Sequence, residues 1–177
     1  MAPGRAPAGR APRILETVRV TPLLPEHAQS IAAWRYPASL ATYDVGEVVT
    51  PERGFWSVVD GDELVGYACF GQEARVPGVV EEAGVLDVGY GMRPDLVGQG
   101  LGRAFVSAIL DFAAASHEAA SFRLLILDWN GRSQAVARAL GFREQATVES
   151  VEGIFVVMTA CVPSRLPRTA TAAPSRR

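Results

Sequence analysis

Lysine is absent from this 177-residue chain, so all 17 basic side chains are arginines. That excludes a P-loop lysine, a Schiff-base lysine and a lysine general base. Cysteine and histidine occur only twice each. Two cysteines make neither a disulfide framework nor a zinc site. Cys69 and Cys161 both fall in strand-like runs, and the expectation is two reduced, buried packing residues in a cytoplasmic protein. His27 and His117 have no ligand-spaced partners, so no metal is expected. No apolar run approaches the roughly 18 residues of a membrane span. The opening "MAPGRAPAGRAPR" lacks the apolar core of a secretory leader.

Acid is missing from both ends. Residues 1–13 and 163–177 hold seven arginines and no carboxylate, which leaves ten arginines against all 19 acids between them, a net of −9. The ends read as a disordered N-terminal arm (1–13) and a disordered basic tail (163–177), and 14–162 as one folded domain. An acidic domain argues against nucleic acid as the main ligand and favours a cationic partner, such as an amine. Apolar residues at 49% and charged residues at 20% are those of an ordinary soluble globular protein. Abundant arginine and alanine suggest a GC-rich bacterial source.

Hydrophobic periodicity gives a coarse order of elements. "ILETVRV" alternates as a first strand, and Pro25 can open a helix over "PEHAQSIAAW". "RYPASLATYD" is a short helix or a loop. "FWSVVD" and "ELVGYACFG" flank Asp60-Gly61-Asp62 as a hairpin. "VLDVGYGMRP" is a strand, and Gly89 and Gly91 around Tyr90 predict a bulge or a close backbone contact. A helix is expected from Leu101 to His117, a doubly buried strand over "FRLLILDW", and a helix from Arg132 to Leu140. "FREQATVES" and "EGIFVVMTACV" close the chain as a hairpin. The expected fold class is α/β, a mixed sheet with helices on both faces.

The strand at 85–92 is followed by Gly98-Gln99-Gly100-Leu101-Gly102 and a helix. Bare backbone N–H groups at a helix start can form an anion nest, and a pyrophosphate is the natural guest. A tight strand-to-helix turn would use the same residues. The spacing fits neither the G-x-G-x-x-G dinucleotide fingerprint nor a P-loop. A second pattern, "LLILDWNGRSQAVARALGF", sets a strand, Asn130, a short helix and Gly-Phe in order.

Together these two motifs resemble the GNAT N-acetyltransferase superfamily, whose motif A is a strand, Q/R-x-x-G-x-G/A and a helix. "AWRYP" and "GYGMRPDLVGQGLG" further resemble a bacterial branch of it. The likeness implies the GNAT-like acyl-CoA N-acyltransferase fold, a mostly antiparallel central sheet. It implies acetyl-CoA as cosubstrate, with backbone amides around Gly98, Gln99, Gly100, Leu101, Gly102 and Arg103 on the pyrophosphate. Strand backbone near Tyr90 and Met92 would pair with the pantetheine arm, and Asn130 would reach it too. Asn130 could equally be a helix N-cap. The family also implies a homodimer through the late strands and an acceptor pocket bordered by Trp34 to Asp44.

Departures from the family pattern matter for the chemistry. Val97 stands where Gln or Arg is usual, Ala137 where many members carry a tyrosine acid, and the run Leu124 to Leu127 lacks the glutamate of some relatives. Asp87, acting through a water, is the candidate base, unless it is an ordinary hydrogen-bonded strand carboxylate. Tyr90 is the candidate proton donor to the thiolate, unless it only packs. Glu73 and Asp128 are weaker candidates. The implied activity is acetyl transfer to a primary amine of a small molecule or protein. The competing reading is an acyl-CoA-binding module without turnover.

Overall fold

The computed structural model describes residues 13–162. The expected arm and tail, apart from Arg13, lie outside them. Arg13, the last residue of the expected arm, pairs with Glu63 at 2.5 Å.

Seven strands form one sheet in the order β1-β2-β3-β4-β5-β7-β6. They are β1 (Val18–Pro22), β2 (Phe55–Asp60), β3 (Glu63–Phe70), β4 (Val85–Met92), β5 (Ser121–Leu127), β6 (Arg143–Ser150) and β7 (Gly153–Cys161). Three helices, α1 (Pro25–Ala33), α2 (Gly102–Ser116) and α3 (Gly131–Ala139), fall between them. The segment left open as helix or loop contains a 3-10 helix, Ala38–Tyr43.

Strand β1 starts later than the alternation of 14–20 predicts. The Asp60 carboxylate accepts from the backbone N–H of Glu16 and Thr17, so the chain enters the sheet only at Val18.

Side-chain alternation sends neighbours to opposite faces. Val65 and Ala68 join a core built with Phe105, Val106 and Ile109 of α2. Leu64 and Cys69, one residue away from each, join a second core with Ala28 and Ile31 of α1. Helices therefore cover both faces of the sheet. Cys69 is buried, and burial pushes its thiol up to about 12. Cys161 is exposed at the end of β7, which corrects the expectation that both are packing residues. Iodoacetamide at pH 8 should alkylate Cys161 in the native protein and Cys69 only after unfolding, as peptide mass mapping would show.

Strands β4 and β5 form the one parallel pair, joined by the α2 crossover that parallel pairing requires. Their pairing covers only Val85↔Ser121, Leu86↔Phe122 and Asp87↔Arg123. Beyond that rung β4 stays on β3 and β5 stays on β7. The two strands part, and a gap opens in the middle of the sheet.

Candidate active site

The gap is the floor of a cleft of about 640 Å³. Val88 to Met92 line one edge, and Leu124 to Ile126 the other. Neither edge has a strand partner across the gap, so extended backbone on both sides is open to a guest that pairs as a strand does.

One end of the cleft is made by the glycine turn and the start of α2. Gly98 and Gly100 have φ of +82° and +80°, a region that L side chains rarely adopt. Gly102 is needed for another reason: a Cβ there would stand 2.9 Å from Val136 of α3. Two glycines thus shape the turn, and the third lets two helices touch. Helix α2 begins with no capping side chain and no acid in its first turn, so its leading N–H groups carry the positive end of the helix dipole unopposed. Arg103 and Arg132 also line this end. Of the residues expected at the turn, Gly98, Gly100, Leu101, Gly102 and Arg103 line the cleft. Gln99 does not; its side chain folds back to donate to the Asp95 carbonyl at 2.6 Å. Arg132 was missed, because a helix-surface arginine has no distinctive signal in sequence.

Asn130 is the N-cap of α3, one of its two expected parts, and it also lines the cleft. Its Oδ1 accepts from the Ser133 N–H and caps α3, and its Nδ2 donates to the Tyr43 hydroxyl at 2.7 Å. The Tyr43 phenol therefore keeps its own proton to give. Its pKa is raised by burial and lowered in part by the Asn130 bond.

All four tyrosines of the chain line the cleft: Tyr36, Tyr43, Tyr67 and Tyr90. Tyr90 packs edge-on to Phe105, on the α2 side. Its hydroxyl is buried with no hydrogen-bond partner, and burial raises its pKa. Tyr67 packs on Trp34 and Phe55, on the α1 side. A Cβ at Gly91 would lie 2.3 Å from the Tyr67 ring, and one at Gly89 2.6 Å from the Cys69 sulfur. The β3–β4 register runs without a shift from Gly66↔Met92 to Phe70↔Val88. The glycines of β4 therefore serve close contact, and the expected bulge is absent. Tyr36 donates to the Met92 carbonyl at 2.7 Å, which engages one of the groups expected to meet the pantetheine arm.

Asp87 does not line the cleft. It lies at the last β4–β5 rung, 1% exposed, and its oxygens accept from Arg123 Nε at 2.6 Å and Arg75 at 3.3 Å. Arg123 also donates to the Val80 carbonyl. The carboxylate holds the two strands together where they begin to part. Buried, with its oxygens engaged by two guanidinium groups, it has the form of the hydrogen-bonded strand carboxylate that was the alternative to a base. Glu73 is tied to Arg53, and Asp128 is exposed outside the cleft. Ala137 is fully buried in the core.

A splayed parallel pair beside a glycine-turned helix start defines a mixed α/β fold with a cleft between two open strand edges and a helix N-terminus. The family model of the acetyltransferase (GNAT) domain matches residues 13–143. The chain belongs to the GNAT acetyltransferase family. Solved structures agree in fold. The aminoglycoside acetyltransferase AAC(6')-Ib in complex with coenzyme A and kanamycin is 18% identical, with a TM-score of 0.68 over 82% of this chain and 95% of that one. A GNAT acetyltransferase from Bacillus anthracis is 12% identical, with a TM-score of 0.65 over 85% and 98%. Ribosomal-protein-S5-alanine acetyltransferase from Vibrio fischeri is 17% identical, with a TM-score of 0.62 over 86% and 97%.

Proposed function

We propose that the protein transfers the acetyl group of acetyl-CoA to a primary amine, with the cofactor lying through the gap between β4 and β5. The parting of these strands at Asp87↔Arg123 is the observation that carries this reading. It exposes strand edges for the pantetheine arm and leads to the glycine turn, where the pyrophosphate meets the α2 amides with Arg103 and Arg132 beside it. Asn130 contributes through Tyr43 and the α3 cap. Val97 replaces one polar contact of the family pattern, but a nest of backbone amides does not need it.

The amine nitrogen attacks the thioester carbon, the C–S bond breaks, and the thiolate takes a proton as the nitrogen sheds one, so that the net proton passes from nitrogen to sulfur. Holding both reactants in one cleft supplies much of the rate. Backbone N–H groups of the Gly89 to Met92 edge would stabilise the charge that grows on the thioester oxygen. Tyr90, with a buried and unpartnered hydroxyl, is the proposed proton donor. Tyr90→Phe should lower kcat about a hundredfold, within the usual range for a general acid. Its affinity for acetyl-CoA should stay unchanged by calorimetry. An unchanged kcat would leave Tyr90 with packing alone.

The test of the activity is acetyl-CoA-dependent thiol release with a panel of amines. Turnover would dispose of the binding-only reading, which rests on Ala137. The cytoplasmic setting and a homodimer through the open edge of β6 remain part of the proposal.

A further inference from the structure

The acids of the domain do not line the cleft. Although residues 14–162 carry a net −9, no carboxylate lines it among the described residues, and its only charged side chains are Arg103 and Arg132, at the glycine-turn end. The other end is walled by Tyr36, Leu40, Tyr43 and Tyr67 over the glycines of β4. The nearby acids are each committed elsewhere. Asp44 accepts from the Tyr36 N–H and stands 4.0 Å from Arg35. Glu73 is held by Arg53, and Asp87 by Arg123 and Arg75. Burial leads in raising the pKa of all four tyrosines; Asp44 adds to the rise at Tyr36, and no carboxylate contributes at Tyr43, Tyr67 or Tyr90.

An ammonium entering this end would lose water and meet no carboxylate in the wall itself; the one acid close behind it, Asp44, sits on the backbone side of Tyr36 and beside Arg35. The tyrosine faces could attract it, but a held ammonium has no lone pair to react. A lysine-like amine with pKa about 10.4 is neutral in roughly one molecule in a few thousand at pH 7, and burial without a carboxylate is the environment that rejects its charged form. An α-amino group, with pKa about 7.7–8.0, is neutral in roughly one molecule in ten. A neutral amine also balances the reaction unaided. The nitrogen forms its bond to the acetyl carbon, the C–S bond breaks, and one N–H proton ends on the CoA sulfur.

We propose that the acceptor is a weakly basic primary amine, largely or partly neutral near pH 7, on an aromatic or aliphatic body that the tyrosines cover. Arylamines, hydrazides and α-amino amides are of this class. The assignment rests on the acetyl-transfer reading of the cleft and names its substrate class.

The full-length protein is assayed at pH 7 by thiol release from acetyl-CoA with phenylalaninamide, 2-phenylethylamine and kanamycin. The first two share an aromatic body and differ in basicity. Phenylalaninamide should exceed 2-phenylethylamine in kcat/KM by at least ~30-fold, less than the ratio of their neutral fractions because the more basic amine is the better nucleophile. The gap should narrow as pH rises toward 10. Kanamycin, a polycation, should be the poorest. Leu40→Glu, at a half-buried position on this wall, supplies the missing carboxylate and should shrink the gap about tenfold. A preference for 2-phenylethylamine or kanamycin at pH 7, or a gap that Leu40→Glu leaves unchanged, overturns the acceptor assignment while acetyl transfer stands. No thiol release with any of the three overturns both.

Discussion

Gly100→Asp should cost the protein at least about a hundredfold in acetyl-CoA affinity and leave it folded. Two effects act together. Gly100 has φ of +80°, and a side chain there costs roughly 1–2 kcal/mol of backbone strain, which the free turn can shed by shifting and which cofactor binding must then restore. Added to this is a carboxylate at the turn proposed to hold a pyrophosphate, where like charges repel in partly excluded solvent. A hundredfold loss corresponds to about 2.7 kcal/mol. The fold is spared because a Cβ at this position meets nothing within 4 Å. Gly100→Ala carries the strain without the charge and should lose only about tenfold. Calorimetric titration with acetyl-CoA would separate the two variants, and a far-ultraviolet spectrum would confirm that both are folded. Equal affinity of Gly100→Asp and the parent would place the pyrophosphate somewhere else.

Asp87→Ala should be the most destabilising of the substitutions considered. It leaves the Arg123 guanidinium, 8% exposed, without its main partner at the centre of the sheet. Stranding one member of a buried ion pair costs about 3–5 kcal/mol, a large part of the 5–15 kcal/mol typical of a whole domain. Urea unfolding would read this as a lower midpoint with an unchanged slope. Asp87→Asn keeps the shape and one acceptor, and should lose less. The folded Asn variant also serves the mechanism. If Asp87 only positions the strands, the pH profile of kcat/KM keeps its acid limb in Asp87→Asn; a limb that vanishes would restore the carboxylate as a base.

Much of the cleft was legible in the sequence because its signals are local. Left-handed backbone at Gly98 and Gly100 demands glycine whatever surrounds it, so the turn is recorded in two of the three alternating letters, while Gly102 answers to Val136 across the helix contact. The same holds for Asn130, whose Oδ1 caps α3 three residues ahead. Helix α1 keeps its expected start, and α2 and α3 fall within one residue of their expected bounds, because apolar period and Pro25 act over single turns. The parallel β4–β5 pair has the length of crossover that α2 allows.

The rest depended on what lies across space. Asp87 in "VLDVGYG" reads as a strand carboxylate that could face either way. Its fate was set by Arg123, 36 residues later, which arrives opposite it in the parallel register. Tyr67 gave no signal beyond a hairpin position, and it lies over the backbone of Gly91 only because β3 and β4 pair in that register. The net charge of 14–162 does not say where the acids stand; those nearest the cleft, Asp44, Glu73 and Asp87, face arginines outside it.

The sequence by itself therefore determined the turn that can take an anion, the capped helix beside it and the family to which they belong, because each rests on backbone geometry within a few residues. The tertiary structure alone decided that four tyrosines from positions 36 to 90 share one cleft, and that every nearby carboxylate is kept out of it. Side-chain environment is a property of which strands meet and where they part, and no local pattern of residues records that.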